Sequence, residues 1–240
     1  MTGNLPSAPL QTTLLRVDEP AALPAALPAL GFKQPRPTLV IIGGASKLSD
    51  ADFAKVTQLF TGVIAPFAQD RQLTVVDGGT DAGVMRLIGQ GRASIDGDFP
   101  LVGVAPVGLV DLPEYADGAS AESCPLEPHH THCLLVPGDQ WGDESWWMAA
   151  VATQLAGSCG SAAVVVNGGE ITWKDAAAHA EAGRPLLVIA GSGRTADIIA
   201  AAARGEAADP RATQLVATHK LQVVELAQPE ALKDRLNDIF

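Results

Sequence analysis

Basic residues are scarce in this chain. Sixteen Lys and Arg stand against 27 Asp and Glu, a formal charge of −11. Nucleic-acid binders draw much of their affinity from neutralising phosphates, so nucleic acid is excluded as a partner on this ground. An anionic membrane surface is excluded too, because it calls for a basic amphipathic helix. One phosphorylated small molecule remains compatible, since a few backbone N–H groups and one Arg bind it locally whatever the global sign. Cysteine is equally sparse. Cys124, Cys133 and Cys159 show no CxxC spacing, which argues against a zinc or redox motif and against a disulfide framework. Gly and Pro interrupt every apolar run well short of the roughly 18 residues of a membrane span. Met1-Thr2-Gly3-Asn4-Leu5-Pro6 has neither the basic region nor the apolar stretch of a secretory leader. The expected location is therefore the cytoplasm, with reduced thiols.

Apolar material is plentiful: 47% of 240 residues are hydrophobic and 18% charged, enough for a single sizeable core. Residues 1–37, broken by Pro20, Pro24, Pro28, Pro35 and Pro37, are expected as a lead-in strand or short helix. From 38 to 240 one domain is expected. In it, short runs at 38–42, 73–76, 101–105, 133–136, 162–166, 186–190 and 221–224 are apolar on both faces, as in a covered parallel sheet. Helical patterns alternate with them. The longest runs from 50 to about 69 and aligns Phe53, Val56, Phe60, Val63, Ile64 and Phe67, with Ser49 as N-cap. Others are expected at 81 to about 90, 144 to about 156, 175–182, 195–203 and 230–239. The alternation predicts an α/β fold with a doubly wound, mostly parallel sheet and helices on both faces. Residues 107–131 break the rhythm as an irregular inserted loop.

Ligands of such sheets bind beyond the carboxyl ends of the strands. The strand exits here read Gly43-Gly44-Ala45-Ser46, Gly78-Gly79-Thr80-Asp81-Ala82-Gly83, Pro106-Val107-Gly108, Gly168-Gly169 and Gly191-Ser192-Gly193-Arg194. Without a Cβ, backbone N–H groups can reach a phosphate, and a following helix N-terminus adds partial positive charge. The alternative is that the glycines only make tight turns. The spacing matches neither a Walker loop nor Gly-x-Gly-x-x-Gly, which disfavours a standard NAD site.

In order along the chain run Val40-Ile41-Ile42-Gly43-Gly44-Ala45, Asp77-Gly78-Gly79-Thr80-Asp81-Ala82-Gly83-Val84-Met85, His130-Thr131-His132-Cys133-Leu134-Leu135-Val136, Asn167-Gly168-Gly169 and Gly191-Ser192-Gly193-Arg194-Thr195-Ala196-Asp197. This series resembles the SLOG superfamily, and within it the LSDAT branch, which includes the N-terminal cytosolic region of TRPM channels and stand-alone prokaryotic relatives. The resemblance implies a Rossmann-like fold that binds nucleotides or their derivatives, ADP-ribose and its cyclic relatives foremost. It implies that Gly78, Gly79 and Thr80 cradle phosphate oxygens, that Gly43, Gly44, Ala45 and Ser46 line the opposite wall, that Gly191, Ser192 and Gly193 form a second anion-accepting turn, and that Gly83, Gly168 and Gly169 belong to the ligand-binding set.

Arg194 is the expected charge on the phosphate, its planar fork suiting bidentate recognition. Its competing reading is a surface pair with Asp197 or Asp175. In the run His129-His130-Thr131-His132, an extended chain places His130 and His132 on one face with no third ligand, so no metal is expected and His132 is read as contacting a ligand or a backbone carbonyl. Trp141 or Trp146 is available to stack on a base, while Trp147 falls on the buried stripe of its helix.

The superfamily also contains phosphoribohydrolases with a Pro-Gly-Gly-x-Gly-Thr-x-x-Glu motif. The matching stretch is Asn167-Gly168-Gly169-Glu170-Ile171-Thr172-Trp173-Lys174-Asp175, which has lost the Pro, the third Gly and the Glu. Asp175 is the catalytic candidate only if N-glycosidic hydrolysis survives these changes. The favoured expectation is a sensor or sequestering module without turnover and without a required cofactor. A homo-oligomer and a separate effector protein are left open as partners.

Overall fold

The computed structural model describes residues 12–44, 46–112, 123–206 and 209–240. Ten strands and nine α-helices are found among them. Strand β1 is Thr13–Arg16 and helix α1 Leu23–Ala29. Then come β2 (Thr38–Gly43), α2 (Asp50–Leu59), α3 (Ala65–Asp70), β3 (Thr74–Asp77), α4 (Gly83–Ser94) and β4 (Leu101–Pro106). The two short strands β5 (Val110–Asp111) and β6 (Cys124–Pro125) precede β7 (His132–Val136) and α5 (Ser145–Ala156). The chain ends with β8 (Ser161–Val166), α6 (Glu170–Glu181), β9 (Leu186–Ala190), α7 (Arg194–Ala203), α8 (Pro210–Thr218), β10 (Leu221–Glu225) and α9 (Pro229–Asn237).

Eight strands form one parallel sheet in the order β1-β7-β4-β3-β2-β8-β9-β10. Alternation of side chains builds a core on each face. Val40, Ile42, Val76, Val102 and Val188 pack with residues of α1, α5, α6, α7 and α8. Leu39, Ile41, Val75, Leu101 and Val164 pack on the other side with α2, α3, α4 and α9. Truncating one such residue, Ile42 for instance, to Ala costs about 2–5 kcal/mol. From β2 the chain steps to β3, β4 and β7, then crosses through α5 to β8 on the other side of β2. The topological switch therefore lies between β2 and β8, where an open α/β sheet leaves a crevice.

Several local readings need correction. The helix expected from residue 50 is interrupted by a wider turn at Phe60–Ile64; Pro66 lacks an N–H and crowds the carbonyl of Gly62, so the ladder cannot continue normally. Ser49 caps α2, its Oγ accepting from Asp52 N at 3.1 Å. Phe53 is 43% exposed rather than buried, because α2 meets the sheet only from Val56 onward. α4 starts at Gly83, and the carboxylate of Asp81 instead accepts from Arg86 Nε at 2.7 Å. α6 starts at Glu170, not 175, directly after the Gly168-Gly169 turn. α8 has no counterpart in the sequence reading, although Asp209 caps it by accepting from Arg211 N at 2.8 Å, with Pro210 in its first turn. The proline-rich lead-in supplies the edge strand β1, and Leu23, Ala26, Leu27 and Leu30 join the core.

Candidate functional site

At the carboxyl ends of β2 and β3 the backbone comes too close for side chains. Gly43 has φ +129°, and a Cβ there would overlap Val166 O of β8. Gly79 has φ +72°, and its Cβ would lie 2.8 Å from Gly103 Cα of β4. These glycines let the chain turn sharply away from the sheet while neighbouring backbone fills the space a side chain would take, and beside Gly43 and Gly78 lies a cavity of about 220 Å³. Gly43 with Ile41 and Ile42 contributes from β2, Gly78, Thr80 and Ala82 from the turn between β3 and α4, and Met85 from α4. Cys124 closes one side, while Trp141, Glu144 and Met148 come from α5 and its approach, and Ile171, Thr172 and Asp175 from α6.

Two carboxyls stand in this largely apolar wall. Asp175 Oδ1 accepts from Ser145 Oγ at 2.6 Å, and Glu144 Oε2 accepts from Gly142 N at 2.7 Å. Burial pushes the Asp175 carboxyl up to about 7; the Ser145 hydroxyl opposes this and the neighbouring Glu144 adds to it. Burial also raises Glu144, against backbone N–H groups that favour its charge. A carboxyl raised toward neutrality in this way has the pKa an acid–base group needs at neutral pH.

Arg194 does not line the cavity but borders it through Gly169, whose N–H donates to the lining Thr172. It begins α7 with φ +52°. Its Nη1 donates to Ser46 Oγ at 2.7 Å, and its Nη2 lies 3.0 Å from where a Cβ on Gly169 would be. No carboxylate pairs with it among the described residues. The expected partners are engaged elsewhere: Asp197 accepts from Gly191 N at 2.6 Å, and Asp175 is held by Ser145. Thr172 joins rim to cavity, since it lines the cavity while its Oγ1 accepts from Gly169 N at 3.1 Å.

Of the residues singled out in the sequence, Gly43, Gly78 and Thr80 line the cavity. Gly44 abuts Asn167 and Gly168, and Ser46, Gly169 and Arg194 make the rim. Gly83 opens α4. Ala45 lies outside the described residues. Other amides expected to face an anion already have protein partners. Gly79 N donates to Asp77 Oδ1 at 2.7 Å, Gly168 N to Asn167 Oδ1 at 2.7 Å and Gly191 N to Asp197. Ser192 is wholly buried; its Oγ accepts from Asn167 N and donates to Ile189 O, and its carbonyl accepts from Asn167 Nδ2. The 191–193 turn is thus closed by the protein's own groups, Gly193 lying against Asn167 and Leu48. His132 is at the amino end of β7, its ring 4.8 Å from that of Phe32 and its Nδ1 2.8 Å from Thr131 Oγ1; it does not line the cavity. Burial lowers its pKa, with a backbone contact at Leu30 opposing.

The sequence reading missed a buried clamp behind the cavity. His130 bridges Asp77 Oδ1 (2.8 Å) and Glu127 Oε2 (2.9 Å), all three nearly inaccessible to water. Burial by itself lowers a histidine pKa, but Asp77 and then Glu127 lift this one to about 9. Both ring nitrogens are thereby occupied, leaving none for a metal. The clamp ties residues 123–130 over the turn after β3, where Asp81 N donates to Pro125 O and Glu127 N to Gly79 O. The signal was present in His130 and Asp77, but their 53-residue separation concealed the pairing. Trp141 lines the cavity, Trp146 is 53% exposed and Trp147 is buried.

A switch-point cavity in a doubly wound parallel sheet defines a Rossmann-like module of the nucleotide-related kind. A family model described as "SLOG in TRPM, prokaryote" matches residues 36–233, so the chain belongs to that family. Among solved structures it is similar to the X-ray structure of TM1055, a structural genomics target. That likeness has 18% identity and a TM-score of 0.55, and covers 85% of this chain and 99% of the other; it bears on the fold alone. No curated protein matches. No helix among the described residues is long and apolar enough to cross a membrane.

Proposed function

We propose that the protein binds a nucleotide-derived ligand, ADP-ribose or a cyclic ADP-ribose-type signal, as a sensor or sequestering module. The observation that carries this reading is Arg194, a guanidinium without a carboxylate partner at the mouth of the switch-point cavity, in a chain where acids outnumber bases. The phosphates meet Arg194 and Ser46 at the rim, and the base packs against Trp141 and the methionines within. Family membership supports the ligand class. Calorimetric titration with ADP-ribose should give micromolar or tighter binding. Arg194→Ala should weaken it by about 1.5–3 kcal/mol, the range for hydrogen bonds to charged groups. An unchanged affinity in that variant places the anion elsewhere.

A second reading is favoured by Asp175, which stands in the cavity wall with a pKa near neutrality. Under it the protein hydrolyses the N-glycosidic bond of a nucleoside monophosphate, with Asp175 as general acid or base. Chromatography after incubation with AMP distinguishes the two. Free base that disappears with Asp175→Ala establishes hydrolysis, and none supports binding without turnover.

A further inference from the structure

The cavity's own chemistry differs from that of its rim. Its walls are apolar and aromatic, with Ile42, Met85, Trp141 and Met148 among them, and its ionisable groups include Glu144 and Asp175 but no Lys, Arg or His among the described residues. A phosphate inside would face two acids and no cation among the described lining residues, Lys174 acting on both acids only from outside the lining. Asp175 engages Ser145 through one carboxyl oxygen, and Glu144 is held by backbone N–H groups. Both side chains are thus fixed in place while still forming part of the cavity wall.

We propose that the cavity takes the uncharged nucleoside end of the ligand, with Glu144 and Asp175 hydrogen-bonding its sugar hydroxyls or its amino group while the phosphates stay outside at Arg194. This rests on the reading of the protein as a binder of nucleotide derivatives and gives that ligand an orientation. Carboxyl oxygens are acceptors matched to hydroxyl and amine donors. A site built around buried acceptors rejects an analogue lacking the donor far more strongly than an apolar pocket rejects a missing methylene, because the acceptors are left unpaired. At about 220 Å³ the cavity is below the roughly 300–1,000 Å³ of sites that enclose a whole drug-sized ligand, which fits one end of a dinucleotide-sized molecule.

The test titrates the full chain with adenosine, 2′,3′-dideoxyadenosine, purine riboside and inorganic pyrophosphate. Adenosine should bind, pyrophosphate should not compete with it, and at least one analogue should bind tenfold or more weakly. Loss with the dideoxy compound assigns the carboxyls to the sugar, and loss with purine riboside assigns them to the amino group. Glu144→Gln and Asp175→Asn should each weaken adenosine by a similar factor; the analogue series uses the natural chain and so does not depend on how the variants fold. Equal binding of all three nucleosides overturns the carboxyl role, and competition by pyrophosphate overturns the orientation. If adenosine fails while ADP-ribose binds, the inference falls and the proposed function stands. If neither binds, both fall.

Discussion

Raising the pH should loosen the molecule at one identifiable place. The His130 ring lies between Asp77 and Glu127 with no access to water. Burial disfavours its charge, yet the two carboxylates lift its pKa from 6.5 to about 9. A histidine whose pKa is raised on folding contributes stability that is complete below about 6.5 and is lost as pH rises through about 9. At about 1.4 kcal/mol per pH unit, that interval corresponds to on the order of 3 kcal/mol. Glu127 is the same interaction from its other end. Burial pushes it up, but His130 and His129 bring it below its ordinary 4.5, so its share is present above 4.5 and fades as pH falls; it is not added again. Urea denaturation at pH 6, 8 and 10 of the natural chain and of His130→Gln measures the effect. The natural chain should lose on the order of 3 kcal/mol more than the variant between pH 6 and 10. Groups such as Cys124 and Arg184 titrate in both proteins and cancel. Parallel stability profiles would refute the clamp as a charged pair.

Other perturbations follow from single contacts. A Cβ on Gly89 would fall on the Glu127 carboxylate, so Gly89→Ala should lower stability by about 1–3 kcal/mol, as overpacking does, and flatten the His130 pH dependence in the same denaturation series. Gly43→Ala combines a φ of +129° with overlap on Val166 O; thermal melting should show it as the more damaging of the two. Because burial raises Asp175 to about 7, its ionisation works against folding between its ordinary 3.8 and that value. Asp175→Asn should therefore gain stability relative to the natural chain as pH rises from 5 to 8, and a gain independent of pH would contradict the assignment.

The sheet was largely legible because each central strand is a short run apolar on both faces, a pattern that survives without tertiary context. Strands β2, β3, β4, β7, β8, β9 and β10 all lie at or within a residue of those runs. β1 was not separable from the lead-in, since Thr13–Arg16 is mostly exposed and becomes a strand by pairing with β7. The strand-exit glycines were legible as turns, but several of their amides are bonded to Asp77, Asn167 and Asp197, which no local pattern reveals. Glu144 read only as the start of a helix. It became part of a cavity because α5 and α6 lie side by side, holding Ser145 against Asp175, 30 residues apart.

The most direct test of the central claim is a crystal structure of the protein with ADP-ribose. A phosphate oxygen should lie within hydrogen-bond distance of Arg194, with one end of the ligand inside the cavity beside Trp141. A ligand bound away from the β2–β8 switch point, or with its phosphates against Glu144 and Asp175, would contradict it.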